Sequence, residues 1–194
     1  MRKIYFDANQ MYYIRRIADE ADGSDYGSYA WAYRAFPNSP NLVQDIRALC
    51  YIVALRYEWD MDFLPSDASF AEISLRNDER ARATQNVWRL FVEWLEDGQV
   101  LHEGAFLRES LICDRLSLDF IDDPDDRVIV RDVTRRGADV LLTSDNDILV
   151  HKKQLAELGV TVMRPSEWLN AFLDVRDDED AVDWLERVLF GIGA

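Results

Sequence analysis

The sequence predicts an α/β fold, a three-layer α/β/α sandwich around a mainly parallel sheet. Short apolar runs stand at Ile4-Tyr5-Phe6, Asp62-Phe63-Leu64, Val140-Leu141-Leu142 and Val160-Thr161-Val162-Met163, each of strand length and apolar enough to be buried on both faces. Segments with apolar residues at helical spacing separate them, as crossover connections between parallel strands require. Cap and turn residues fall at the junctions, notably Asp122-Asp123-Pro124 and Gly137.

The first strand, Ile4-Tyr5-Phe6, runs into Asp7-Ala8-Asn9 and a helix over Met11 to Ala18. Gly23 and Gly27 then loosen a stretch loaded with rings, Tyr26, Tyr29, Trp31, Tyr33 and Phe36. Pro40 or Asn41 restarts a helix reaching Glu58, because Leu42, Ile46, Leu49, Ile52, Val53 and Leu55 recur on one face. The second strand ends at Pro65, and Ser66 to Ser69 supply a cap for a turn of helix carrying Phe70, Glu72 and Ile73.

From Asn77 to Gly98 the apolar stripe of Ala83, Val87, Leu90, Phe91, Trp94 and Leu95 predicts a longer helix, and Ala105 to Asp114 predicts another. Asp123 caps a helix with Pro124 at its first position, which runs to Arg136 and stops at Gly137. The strands 139–143 and 159–163 follow, with Ser166 read as the cap of a helix through Phe172. Val182, Leu185, Val188 and Leu189 make the acidic terminal segment amphipathic. The expected organisation is therefore one domain with helical additions over 1–173 and a terminal helix over 174–194, packed on the domain or at an interface.

Composition narrows the function classes. The chain of 194 residues is 48% hydrophobic and 30% charged, with 5 prolines and 8 glycines, values of a folded globular protein rather than a disordered or fibrous one. No window approaches the roughly 18 apolar residues of a membrane span and no basic segment leads into an apolar one, so a cytoplasmic protein without a membrane partner is expected. Cys50 and Cys113 lie in apolar surroundings and read as buried thiols; His102 and His151 are isolated and read as structural or surface-exposed rather than as metal ligands. The net charge of −15 repels nucleic acid at long range, although cations or a few arginines can reverse that locally.

Four carboxylates occupy suggestive places: Asp7 after the first strand, Glu72 in the helix after the second, Asp126 in the first turn of a helix and Asp145 after the strand at 140–142. Parallel strands place their C-terminal ends along one edge, where such acids meet in a crevice. Gathered acids raise one another's pKa unless a cation such as Mg²⁺ or Mn²⁺ balances them. Each also has a plainer use, as a helix cap, an Asx turn or a solvated helical acid.

The segments Ile4-Tyr5-Phe6-Asp7-Ala8-Asn9, Ala68-Ser69-Phe70-Ala71-Glu72-Ile73, Asp126-Arg127-Val128-Ile129 and Gly137 to Asp147 resemble the PIN-domain family of metal-dependent nucleases, which includes toxin ribonucleases. The resemblance implies a PIN-like sandwich in which Asp7, Glu72, Asp126 and Asp145 are metal-binding and catalytic, with Asn9, Thr143 and Asp147 in support. The spacing to Gly137 selects Asp126, with Asp125 as its neighbouring alternative. It further implies one or two Mg²⁺ or Mn²⁺ ions, an attacking water activated by metal, and RNA as the substrate.

Arg127 is the candidate phosphate contact, against the plainer use of a solvated helix face. A homodimer through the terminal helix and an antitoxin-like protein are the partner classes. The competing expectations are a catalytically quiet PIN-like interaction module and a metal-dependent phosphohydrolase acting on DNA or a small phosphate ester. The rings between Tyr26 and Tyr33 suit packing first and base stacking second.

Overall fold

The structure, a computed structural model, describes residues 2–20, 29–58, 61–66 and 116–174. The chain groups into two compact units, residues 1–12 with 61–163 and residues 13–60 with 164–194. Among the described residues no helix is long and apolar enough to cross a membrane.

The first unit is built on a parallel sheet. Strands β1 (Arg2–Phe6), β2 (Met61–Pro65), β3 (Val140–Leu142) and β4 (Val162–Met163) lie in the order β2-β1-β3-β4, all pairs parallel. The expected α/β/α class is thus observed, a central parallel sheet flanked by helices. The register pairs Ile4 with Phe63 and with Val140, and Phe6 with Leu142. The central strands β1 and β3 are buried on both faces, which explains why Ile4-Tyr5-Phe6 and Val140-Leu141-Leu142 are continuous apolar runs rather than alternating ones.

Helix α1 (Ala8–Asp19) begins directly after β1. Helix α4 (Pro124–Arg135) precedes β3, and the short helices α5 (Asn146–Leu149) and α6 (Lys152–Glu157) connect β3 to β4. Val130 and Val133 of α4, Ile148 of α5 and Leu155 of α6 pack with Tyr5 and Leu141 of the sheet in one core cluster. Helices α4 and α6 end alike. Gly137, at φ 61°, and Gly159, at φ 82°, take the left-handed conformation that closes a Schellman turn. The Ala138 N–H reaches the Val133 carbonyl at 3.2 Å, and the Val160 N–H reaches that of Leu155 at 2.9 Å.

One buried polar group crosses this core. Tyr5 Oη donates to Asp132 Oδ2 at 2.5 Å and is hydrogen-bonded to Ser66 Oγ at 3.0 Å. Arg135 Nε donates to the other Asp132 oxygen at 3.1 Å, so the carboxylate is matched on both sides. Burial and the adjacent Asp132 charge hold the Tyr5 phenol far above its ordinary range, and it stays a neutral donor.

The second unit contains α2 (Ala30–Ala35), α3 (Pro40–Glu58) and α7 (Pro165–Asp174). Ile46, Leu49, Ile52 and Leu55 form the buried stripe of α3, at the positions that its periodicity predicts. Buried Asp45 joins α3 to α7, accepting from Arg164 Nη1 at 2.9 Å and from Ser166 Oγ at 2.6 Å. Trp168 and Phe172 stack with ring centroids 5.1 Å apart on α7. Cys50 is buried in α3, which pushes its thiol up to about 12, in keeping with a structural role.

Several expectations are adjusted. Helix α7 starts at Pro165, so Ser166 is inside it and its hydroxyl serves Asp45 rather than a cap. Strand β4 is shorter than the 159–163 run suggested, because Gly159 and Val160 close α6. Glu72, the helices expected over 77–98 and 105–114, His102, Cys113 and the terminal segment from 175 onward lie outside the described residues.

Candidate functional site: the acidic end of the sheet

Sheet register alone brings the first two groups together. Phe6 pairs with Leu142, so Asp7 and Thr143 leave adjacent parallel strands side by side at their C-terminal ends. Both are buried, Asp7 with 4% of its surface exposed. Thr143 links the two strand exits, because its Oγ1 accepts from the Asp145 N–H at 2.9 Å while its side chain is hydrogen-bonded to Asp7.

Asp7 caps α1. Its Oδ1 accepts from the Gln10 N–H at 2.8 Å, and its carbonyl accepts the first intrahelical bond, from the Met11 N–H, at 3.1 Å. Burial pushes its carboxyl up to about 6, with the bonds from Thr143, Gln10 and Asn9 opposing that rise and the Asp145 charge adding to it. Asp145 caps α5 in the same manner, its Oδ1 accepting from the Asp147 N–H at 2.9 Å. Asp123 caps α4, accepting from the Asp125 N–H at 2.8 Å, and Asp126 sits in that helix's first turn.

Asp126 is buried, and its carboxyl is also pushed up to about 6. Burial comes first, followed by the charges of Asp145, Asp123, Asp147 and Asp7. Asp7, Asp126, Asp145 and Asp147 therefore share one electrostatic neighbourhood, although they arrive from three separate stretches of sequence. Asn9 is exposed beside Asp7. Arg127 turns to the backbone, its Nε donating to the Ile121 carbonyl at 2.6 Å, which ties α4 to the loop before it.

The sequence did not point to Gln10. Its side chain is fully buried, its Nε2 donates to Ser144 Oγ at 3.1 Å, and its Oε1 has no hydrogen-bond partner among the described residues. The available signal was a polar residue three positions after a strand-end acid, at the start of an otherwise apolar helix face. Ser144 lies between Thr143 and Asp145, so the Gln10 amide ties the start of α1 to the exit of β3.

This geometry corrects the expected chemistry. Among the described residues no group of three or more His, Cys, Asp or Glu side chains is placed to hold a metal ion. The Mg²⁺ or Mn²⁺ centre expected from Asp7, Asp126 and Asp145 is not assembled, and Glu72 lies outside the described residues. One carboxylate oxygen each of Asp7 and Asp145 is engaged instead by the backbone N–H groups of the helices that these residues begin. The metal-dependent ribonuclease and hydrolase expectations fall with that centre, as does the phosphohydrolase alternative, which needs the same ion. No family model, no curated protein and no solved structure matches the chain.

Proposed function

We propose that the chain is a catalytically quiet interaction module of PIN-like shape, whose acidic sheet end receives a cationic segment of a protein partner. The supporting observation is the pair Asp7 and Asp126, both pushed up to about 6 by burial first and then by the charges of neighbouring carboxylates, Asp145 for Asp7 and Asp145, Asp123, Asp147 and Asp7 for Asp126. Like charges so gathered call for a counter-charge, and an arginine or lysine side chain supplies one together with N–H donors. Asp145 and Asp147 would be the accessible binding acids, with Asp126 and Asp7 adding their charge from below the surface, Thr143 holding the two strand exits and Asn9 at the margin. An antitoxin-like partner, as the family resemblance implies, is one protein of this chemistry. The terminal segment 174–194 would serve as a docked helix or a dimer contact.

The test is fluorescence anisotropy with a labelled oligo-arginine peptide, comparing wild type with Asp126→Asn/Asp145→Asn. Both asparagines keep a side-chain oxygen for the local helix start while removing charge. The double variant is expected to bind on the order of tenfold or more weakly, with a smaller salt dependence. A parallel incubation with single-stranded RNA and Mn²⁺ should show no cleavage that depends on Asp7. Equal peptide binding by the double variant, or cleavage abolished by Asp7→Asn, would overturn the proposal.

A further inference from the structure

The second unit contains a stretch of sequence whose exposed charge runs against that of the chain as a whole. Between residues 29 and 51 the sequence has one acid, Asp45, and two basic residues, Arg34 and Arg47. Asp45 is fully buried and paired with Arg164, whereas Arg34 and Arg47 are exposed. In a protein of net charge −15, the charge that this stretch presents to solvent is entirely positive.

Aromatic rings accompany that charge. Tyr29 lies 6.4 Å from Tyr33 and 6.4 Å from Tyr51, ring centroid to ring centroid, with interplanar angles of 49° and 46°. The Arg47 guanidinium sits 5.8 Å from the Tyr29 ring and 5.4 Å from the Tyr51 ring, and its Nε and Nη2 donate to Tyr51 Oη at 3.2 and 3.1 Å. Arg47 is thus held in place by the rings instead of being a loose surface charge. Tyr33, at the outer edge, exposes 57% of its surface, while its neighbour Trp31 is turned inward against Tyr13 and Phe36. The aromatic stretch therefore divides into a packing half and an outward half.

We propose that Tyr33, Arg34 and Arg47, supported from beneath by the half-buried Tyr29 and the buried Tyr51, form a stacking platform for single-stranded nucleic acid. An open ring offers a π-face to an unpaired base of any identity, and a fixed guanidinium beside it suits the neighbouring phosphate. A duplex keeps its bases stacked internally and gains only the phosphate contacts. A basic peptide is disfavoured by the two arginines, and an acidic one leaves the rings unused. The platform lies within the second unit and does not rest on the role proposed for the acidic end of the sheet.

The full chain is titrated by fluorescence anisotropy, at low salt, against labelled oligouridine, oligothymidine and a duplex of matched length. Both single strands are expected to bind more tightly than the duplex. Tyr33→Ala should weaken single-strand binding by on the order of tenfold, Tyr33→Phe should preserve it, and Arg34→Gln should lower the salt slope by about one phosphate contact. Circular dichroism checks that each variant keeps the wild-type fold, and Tyr33→Phe provides a second fold-preserving comparison. No single-strand binding by wild type, binding unchanged in Tyr33→Ala, or competition by polyglutamate as effective as that by unlabelled oligonucleotide would each overturn the proposal.

Discussion

Asp7 joins two opposed effects in one side chain: it caps α1 through the Gln10 N–H, and it holds a carboxylate where burial penalises charge. Its carboxyl titrates at about 6 in the folded protein against an ordinary value of 3.8, so the native state binds that proton more tightly than the unfolded chain does. The stabilisation tied to this proton is complete below about pH 4 and is lost as the pH rises through about 6. At roughly 1.4 kcal/mol per unit, the loss by pH 7 approaches about 3 kcal/mol. Asp7→Asn keeps an acceptor for Gln10 and removes the charge. The variant is therefore expected to be more stable than wild type at neutral pH by on the order of 1–3 kcal/mol, with the difference closing toward pH 4. Urea unfolding at both pH values reads this directly, and a variant less stable than wild type at pH 7 would contradict it.

At the scale of elements, the join between α3 and α7 has an asymmetry that can be measured. Asp45 is fully buried while the Arg164 side chain is 23% exposed, so removing the arginine takes the counter-charge from the more deeply desolvated partner, which keeps the Ser166 hydroxyl. Arg164→Leu is expected to cost about 3–5 kcal/mol and Asp45→Ala less, because the remaining guanidinium can turn toward water. The opposite order in denaturant midpoints would show that Ser166 alone satisfies Asp45. Much of this architecture was legible in the sequence. Pro40 and a long apolar stripe marked α3, and Asp123-Pro124 with Gly137 marked α4, because each signal is local and acts through the backbone. The helices α5 and α6 were not separated from a turn, since four and six residues are too few for periodicity to register. The strand-end positions of Asp7 and Asp145 announced that acids would gather. They could not show that the same oxygens cap α1 and α5, because an aspartate at a helix start looks identical in the sequence whether it faces a ligand or its own backbone. Gln10 was hidden for a related reason: its unsatisfied oxygen is a property of packing.

Across the whole molecule, 37 acidic residues oppose 22 basic ones, and the excess acts on stability as well as on partner choice. Helical pairs such as Arg15 with Asp19 and Arg16 with Glu20 are partly exposed and contribute little against that repulsion. Salt shortens the reach of the field from about 30 Å at 0.01 M to about 8 Å at 0.15 M, with little further change in absolute terms above that. Self-repulsion therefore predicts a melting temperature that rises with NaCl by roughly 3–6 °C, most of it below about 0.15 M. Differential scanning calorimetry across a salt series checks this, and a flat or falling curve would mean that attractive ion pairs, weakened by salt, outweigh the self-repulsion. The same field separates the two proposed surfaces kinetically. Added salt should slow association of a cationic peptide with the acidic sheet end, since there the net charge and the local charge attract together. For a nucleic acid strand on the tyrosine platform, the long-range repulsion of the chain opposes the short-range attraction of Arg34 and Arg47, so moderate salt should raise its association rate before it weakens its affinity. Stopped-flow measurement of both on-rates tests that divergence; parallel slowing of the two would mean that the strand is not approaching against the net charge.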